Sequence, residues 1–466
     1  MIPMRVDSIA RALGASVPPT GGDALVCRVE HDSRAVQPGD LFVAIRGERF
    51  DGHAFVAEAV NRGAVACMVD HAWSSSDQAL LSVPVIVVDD TVQGLGRLAA
   101  YYRQSVMSCG TSVVAVTGSN GKTTTKHMIH HVLSDSLPGR CSPKSFNNQI
   151  GVPLTILSTE QSDRYVVVEV GMNAPGEIAA LSQITVPDVA VISSIGEAHL
   201  LGLGSVDAIA REKASILPFI QARGLAVVNV DRPEIRALLP SGCRAKLISI
   251  GMDGSARVRV TERRGSLNQT RFRLEGRYDV VLNLPGVHHA TNATAAFVVG
   301  RWFGLPAEEI IARLATFVPV EGRTRRLELG AITLIDDAYN ANPASVSAAI
   351  DTLATVDDRR RVLVLGDMFE LGASAEELHA KVVERAIVAG IEVLIAVGPM
   401  TVQASRLQCG HRTRVIPCED ATAAGGALLA MLAPGDIVWV KGSRAMQLDR
   451  VVTQLQAEYS VSAAVA

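Results

Sequence analysis

The segment "SVVAVTGSNGKTTTKHMIHHVLS" (112–134) constrains this chain more than any other. A run of β-branched apolar residues meets a turn containing Gly118 and Gly121, and a helical stretch opens directly on Lys122 and Thr123. A strand ending in such a turn feeds a helix whose first N–H groups point at the turn, which makes a cradle for phosphate. Lys122 supplies a point charge for the outer phosphates, and the Thr123 hydroxyl suits Mg²⁺. The common loop G-x-x-x-x-G-K-[ST] asks for a glycine at position 116. Val116 stands there, and Gly118 comes two residues late. Two readings are open. One is a shortened phosphate loop built from Gly118, Asn120, Gly121, Lys122, Thr123 and Thr124; the other is a plain βα turn that carries GKT by chance.

The same punctuation recurs downstream. "YVVVEVG" (165–171), "DVAVISSIG" (188–196) and "LAVVNVD" (225–231) are short apolar runs ending in polar residues or glycine. Such runs suit strands buried on both faces of a parallel sheet. "GSARVRVTERRGSLNQTRFRLEGRYDVVLNL" (254–284) alternates and is charged, which predicts exposed antiparallel strands. After about 316 the alternation restarts, with strands at 331–340, 361–368, 393–398 and 437–442 and helices at 343–355, 374–390, 420–432 and 445–458. Upstream, 40–45 and 83–90 read as strands, 53–64 and 91–106 as helices. A chain of 466 residues is too long for one core. The reading is α/β in three domains: a small α/β domain (1–88), a central parallel-sheet domain (89–315) and a Rossmann-like domain (316–466).

Composition removes several function classes. Aromatics are 4%, too few for base-stacking platforms, and 44 Lys+Arg balance 47 Asp+Glu. Neither figure suits a nucleic-acid partner. Cysteines stand at 27, 67, 109, 141, 243, 409 and 418 with no CxxC pair, which predicts a reducing compartment and no structural zinc. No apolar run approaches a membrane span. A soluble cytoplasmic protein is expected.

The pattern T-G-[ST]-N-G-K-[ST]-T resembles the short phosphate loop of the Mur ligase and folylpolyglutamate synthetase superfamily. Those enzymes form amide bonds by ATP-driven activation of a carboxylate. Further segments match in family order, from about 30 to 445. "VVVEVGMNAPGEIAALS" (166–182) puts Glu169 near the end of an apolar strand, where a carboxylate needs a partner or a metal. "SSIGEAHLLGLGS" (193–205) puts His199 just past the next strand. The resemblance implies that both ligate Mg²⁺, with histidine an unusual ligand for so hard an ion; a structural loop histidine is the other reading. It also implies that Lys213, in "AIAREKASILPF" (208–219), is carbamylated and supports a second Mg²⁺; on its residues alone this is a helical lysine. "GVHHATNATAAF" (286–297) matches the family box at His288 and Asn292, with His289 where asparagine is usual. Asn292 is implied near the adenine, or is an ordinary helix-start residue. In "EGRTRRLELGAITLIDDAYNANPASVSAAI" (321–350), Arg323 matches an arginine that reaches the ATP phosphates and Asp337 a residue on the ribose side. Domain closure would then complete the site and exclude water from an acyl-phosphate.

"HDSRAVQPGDLFVAIRGERFDGHAFVAEAVNRGA" (31–64) resembles the UDP-binding domain of the third and fourth Mur ligases. That implies contacts to a UDP-sugar from Asp32, Ser33, Arg34 and the Arg46–Gly47 turn, although "HDSR" is also an ordinary capping cluster. The D-N-P-R motif of the diaminopimelate-adding enzymes is missing. "DDAYNANPAS" (336–345), "LGDMFELG" (365–372) and "PKSFNNQIGVPLTIL" (143–157) instead resemble the branch that adds D-alanyl-D-alanine to UDP-N-acetylmuramoyl-tripeptide in peptidoglycan precursor synthesis. Asn147 and Asn148 are then placed to hydrogen-bond substrate, and Asn340, Asn342 and the 366–372 loop around the dipeptide. The expectation is a monomeric, ADP-forming ligase using ATP and Mg²⁺. Its catalytic residues would be Lys122, Glu169, His199 and Lys213, and its metal set Thr123, Glu169, His199 and Lys213. The rivals are a folylpolyglutamate synthetase and a non-catalytic, nucleotide-regulated scaffold.

Overall fold

A computed structural model describes residues 1–16, 21–47, 49–73, 81–107, 110–239, 244–407 and 412–465, with side chains as far as 459. Cys109, Cys243 and Cys409 lie outside them; Cys27, Cys67, Cys141 and Cys418 are free thiols.

The sheet from the first hundred residues has four short parallel strands, Arg28–Glu30, Asp40–Val43, Ala66–Asp70 and Val85–Val88, paired in that order. A nine-stranded sheet follows. Its strands are β1 (Ser112–Thr117), β2 (Gly139–Cys141), β3 (Tyr165–Glu169), β4 (Val189–Ile192), β5 (Leu225–Asn229), β6 (Lys246–Gly251), β7 (Val258–Gly265), β8 (Thr270–Leu274) and β9 (Tyr278–Leu282). The spatial order is β9-β8-β7-β6-β5-β4-β1-β3-β2. Pairing is parallel from β2 through to β7 and antiparallel over β7-β8-β9.

Successive side chains of a strand point to opposite faces, and here both faces are dry. Val113, Ala115, Val166, Val168, Ala190 and Val228 enter one core. Val114, Val116, Val167, Val191, Leu225 and Val227 enter the other. This double burial is why the strands read as unbroken apolar runs. The 258–282 strands are antiparallel, but they are exposed on one face only; Val258, Val260, Phe272, Leu274, Val280 and Leu282 sit in the second core.

The third sheet has six strands, β10 (Arg325–Leu329), β11 (Ile332–Asp337), β12 (Arg361–Gly366), β13 (Val393–Val397), β14 (Arg414–Cys418) and β15 (Ile437–Lys441). Its order is β10-β11-β15-β12-β13-β14, parallel except for β10. The predicted helix at 445–458 begins at Asp449, after a 3₁₀ turn over Arg444–Met446. The predicted helix at 53–64 is a 3₁₀ turn, Gly52–Phe55, followed by a helix over Val56–Asn61.

The first two sheets share a core. Leu41, Met68 and Ile86 of the first sheet, Leu95 and Leu98, and Val113 and Val166 of the central sheet belong to one apolar cluster. The linking helix runs Thr91–Tyr101 and is capped by Asp90, whose carboxylate accepts from the Gln93 N–H at 2.8 Å. It ends in a single π-turn, Tyr102–Val106, where a helix over 91–106 was expected. Tyr102, 0% exposed, donates its hydroxyl to the Thr159 carbonyl at 2.6 Å and accepts from the Ile2 N–H at 2.8 Å. It fastens the N-terminus to the central domain. Tyr102→Phe leaves the Thr159 carbonyl and the Ile2 N–H without that partner, at a cost of about 1–3 kcal/mol. The expected result is a lower urea midpoint for loss of the first sheet's signal, with the slope of the transition unchanged.

Candidate active site

The short loop is bolted to the neighbouring strand. Beyond β4, Ser193 Oγ donates to the Asn120 carbonyl at 2.6 Å, and the Asn120 N–H donates to Ser194 Oγ at 2.8 Å. Ser119 Oγ donates to the Gly196 carbonyl at 3.0 Å and accepts from the Gly196 N–H at 3.0 Å. These contacts leave no room beside the glycines. A Cβ on Gly118 would fall 2.0 Å from Ser193 Oγ, and one on Gly121 (φ 79°) would fall 2.4 Å from Asn292 Oδ1. Helix α1 (Lys122–Ser134) starts immediately after, so its free N–H groups face the turn. The α1 N-terminus, Lys122 and Thr123 thus have the cradle geometry of a phosphate loop, two residues shorter than the common one.

Lys122 turns back and donates to the Gly118 carbonyl at 2.8 Å. Burial lowers its ammonium pKa, opposed by the Glu169 charge and reinforced by that of Arg323. Thr123 Oγ1 donates to Glu169 Oε2 at 2.9 Å and lies 3.3 Å from Ser145 Oγ. Glu169 is 1% exposed at the end of β3. It also accepts from Asn147 Nδ2 at 3.0 Å and pairs with Lys126 Nζ at 3.6 Å.

The third domain reaches across to this loop. Asn342 Nδ2 donates to Asn120 Oδ1 at 2.6 Å. Arg323 Nη2 lies 3.4 Å from Thr123 Oγ1, and its guanidinium stacks 4.1 Å over the Tyr339 ring. His199, in the left-handed region at φ 63°, places Nδ1 2.5 Å from Glu370 Oε2, and the Leu201 N–H donates to the Glu370 carbonyl at 2.9 Å. A cavity of about 630 Å³ lies in this cleft; Lys122, Asn147, Asn148, His199, Asn340 and Asn342 are among its walls. A second, of about 760 Å³, is lined by Thr123, Lys144, Gly322, Asp336 and Asp449. Ser145, Arg323, Tyr339 and Arg444 line both.

Two buried nitrogens near this cleft have no hydrogen-bond partner among the described residues. Lys213, on helix α2 (Val206–Ala214), is 0% exposed and its Nζ bonds to nothing. Burial, then the Lys122 charge, push its pKa well below the usual lysine range. Arg323 Nε is buried without an acceptor. A buried charge without its counter-charge is costly. These groups fit an anion, and the hard oxygens of Thr123 and Glu169 beside them fit Mg²⁺.

Other residues singled out in the sequence are placed as follows. Asn292, on helix α3 (His289–Trp302), packs against Gly121, and its Nδ2 lies 3.2 Å from His289 Nδ1. His289 Nε2 has no partner, and burial holds the neighbouring His288 at a pKa of about 4. The Asp337 carboxylate is spent inside its own domain, on Lys441 at 2.7 Å and Trp439 Nε1 at 3.4 Å. The cavity wall carries Asp336 instead. Asp32 caps a 3₁₀ turn, Ser33–Ala35, and pairs with Arg34 at 2.8 Å, while Ser33 Oγ donates to Glu58 at 3.3 Å. Arg46 pairs with Asp70 at 2.7 Å and with Asp51, and lines a separate cavity of about 740 Å³. Gly47 closes the adjoining turn, its N–H donating to the Phe50 carbonyl at 2.9 Å. Asp32, Ser33, Arg34, Arg46 and Gly47 are not part of the two-domain cleft.

Comparison with known proteins follows this division. "Mur ligase family, catalytic domain" matches residues 26–103, "Mur ligase middle domain" 116–300, and "Mur ligase, glutamate ligase domain" 322–444. The UDP-N-acetylmuramoyl-tripeptide–D-alanyl-D-alanine ligase of Treponema pallidum is 35% identical over 92% of this chain and 94% of that one. The chain belongs to the Mur ligase family. Among solved structures, MurF from Acinetobacter baumannii superposes with a TM-score of 0.85 at 30% identity, covering 98% of this Mur ligase and 99% of that chain. MurF from Thermotoga maritima in complex with ADP gives 0.81 at 28% identity, covering 93% and 98%.

Motif reading missed Lys126, Ser193, Ser194, Tyr339 and Arg444 of this Mur ligase, and reached Glu370 only as part of the 366–372 loop. Ser193 and Ser194 carried a signal, two hydroxyls just where a strand ends beside the loop. Gly121→Ala forces a Cβ into Asn292 and a left-handed backbone on alanine, a strain of about 1–3 kcal/mol. Calorimetry should then show ADP binding weakened by roughly tenfold or more.

Proposed function

We propose that this chain is the ATP-dependent ligase that joins D-alanyl-D-alanine to UDP-N-acetylmuramoyl-tripeptide, forming ADP and phosphate, in peptidoglycan precursor synthesis. One observation carries the reading: two buried nitrogens with no hydrogen-bond partner among the described residues, Lys213 Nζ and Arg323 Nε, stand near a phosphate loop whose lysine is turned onto its own backbone. The MurF likeness over nearly the whole chain chooses the substrates.

ATP is held by Gly118, Asn120, Gly121, Lys122, Thr123 and Thr124, with Asn292 on the base side and Arg323 on the phosphates. Asp336, a lining residue of the second cavity, is taken to meet the ribose in place of Asp337. Thr123, Glu169, His199 and Lys213 would hold Mg²⁺. The ion would offset the repulsion between a carboxylate and a triphosphate, both anions. Lys213, whose ammonium form burial disfavours, can add CO₂ at nitrogen with release of a proton, and the resulting carbamate would answer the Lys122 charge.

The tripeptide carboxylate attacks the γ-phosphorus and ADP leaves. The dipeptide amine then attacks the acyl-phosphate carbon, loses a proton, and phosphate leaves. Lys122 and Arg323 neutralise charge through both steps, and the Asn342–Asn120 contact closes the third domain over the loop and excludes water. Asn147, Asn148, Asn340 and Asn342 line the substrate side. Alignment of the reactants accounts for up to roughly 7–11 kcal/mol of the barrier. In the first domain, Asp32, Ser33, Arg34, Arg46 and Gly47 would release internal pairings to meet the UDP-sugar. The 1–88, 89–315 and 316–466 divisions are assigned to the UDP-sugar, ATP and dipeptide sides. No helix among the described residues is long and apolar enough to cross a membrane, and we assign a cytoplasmic monomer.

Phosphate release is the test. With ATP and UDP-N-acetylmuramoyl-tripeptide, D-alanyl-D-alanine should stimulate it, while diaminopimelate and glutamate should not. Stimulation by glutamate alone on a pterin substrate would move the assignment to the folate branch, and no stimulation by any amine would favour the scaffold. Lys122→Ala should lower kcat roughly 100- to 1000-fold with the circular-dichroism spectrum unchanged.

A further inference from the structure

Lys126 lies one helical turn beyond Lys122 on α1, and no step above uses it. Its side chain is 0% exposed. Nζ donates to the Ser142 carbonyl at 2.8 Å and to the Lys144 carbonyl, and stands 3.6 Å from Glu169 Oε2. A lysine ammonium has three protons, and three acceptors surround this one. It therefore ties three parts of the chain together: the phosphate-loop helix, the end of β3, and the segment 142–148.

That segment is gripped from its other side as well. Ser145 meets Thr123 at 3.3 Å, Asn147 donates to Glu169 at 3.0 Å, and the Gly171 N–H donates to the Asn147 carbonyl at 2.8 Å. Lys144 sits at φ 45°, a left-handed conformation that a lysine keeps only when its surroundings hold it. The segment is also a partition. Lys144 lines one cavity, Asn147 and Asn148 line the other, and Ser145 lines both.

We propose that Lys126 is a positioning residue that couples the phosphate loop to the substrate wall: it sets where Glu169, Asn147 and Asn148 stand relative to Lys122 and Thr123. It touches neither the nucleotide nor the reacting carboxylate. The identity of the substrate on that wall rests on the function proposed above. Nucleotide binding itself stays with Lys122 and the α1 N-terminus; the Lys126 ammonium turns instead to Ser142, Lys144 and Glu169.

The test uses Lys126→Met and Lys126→Arg in the full chain. In the ligand-free protein, Lys126→Met should speed hydrogen exchange at 142–148 by about tenfold while the 122–134 amides stay protected. By calorimetry, UDP-N-acetylmuramoyl-tripeptide should bind about tenfold more weakly, and AMP-PNP without Mg²⁺, which does not call on Glu169, within about threefold of the unaltered protein. In turnover, KM for the UDP-linked substrate should rise, and arginine should restore most of the loss because the charge returns. Unchanged exchange at 142–148 would overturn the proposal, as would equal weakening for both ligands. A lower kcat at unchanged KM with a reduced melting temperature would assign Lys126 to folding alone and also overturn it. If the methionine variant does not fold, the arginine variant is read by the same criteria, with smaller shifts of the same sign expected. The exchange measurement needs no substrate, so it separates failure of this proposal from failure of the assigned reaction.

Discussion

A carboxylate buried at the end of a parallel strand must be answered, and the site depends on how Glu169 is answered. An ionised carboxylate at 1% exposure is costly unless donors and positive charge surround it. Thr123, Asn147 and Lys126 supply both, and each comes from a different place: the start of α1, the 142–148 segment, and one turn deeper in α1. Satisfying one charge therefore fixes the loop, the helix and the substrate wall relative to one another. Thr123 and Glu169 make a hydrogen-bonded pair of hard oxygens, the pair that the proposed function assigns to Mg²⁺.

The positive charge in the cleft is arranged differently. Lys126 is fully engaged, whereas Lys213 Nζ and Arg323 Nε have no acceptor and Lys122 occupies a carbonyl of its own loop. Arg323 is on the third domain, with Tyr339 behind its guanidinium. The site is thus shared between two folded units, and contacts such as Asn342–Asn120 and Leu201–Glu370 bring them together. Sharing a site in this way lets closure exclude water from an intermediate that water would destroy.

The fold was largely legible because the central strands are dry on both faces. Alternate residues of β1, β3 and β4 enter opposite cores, so each strand is one apolar run with no polar break. The short strand β2 and strand β6, "KLISIG" (246–251), escaped because β2 is three residues long and β6 is mostly half-buried, so neither carries that signature. The first domain is welded to the second through the 91–101 helix, and composition shifts do not report a shared core. Glycine spacing and strand ends single out Lys122, Thr123 and Glu169, and the structure brings Thr123 and Glu169 to 2.9 Å. Tyr339 was not legible, since its part in the site comes from one domain meeting another, and no local periodicity records that meeting; Glu370 was reached only through the 366–372 loop. Asp336 and Asp337 show the limit well. Neighbours on a strand face opposite ways, and the sequence alone does not say which faces the cavity.

The central claim is that this cleft transfers a phosphoryl group to a substrate carboxylate before the amide forms. The direct measurement is oxygen tracing. UDP-N-acetylmuramoyl-tripeptide labelled with ¹⁸O in its terminal carboxylate is turned over with ATP and D-alanyl-D-alanine, and the released phosphate is analysed by mass spectrometry. An acyl-phosphate route predicts one labelled oxygen in each phosphate, because the carboxylate oxygen leaves with phosphorus. Phosphate released without label while the amide forms would contradict the account.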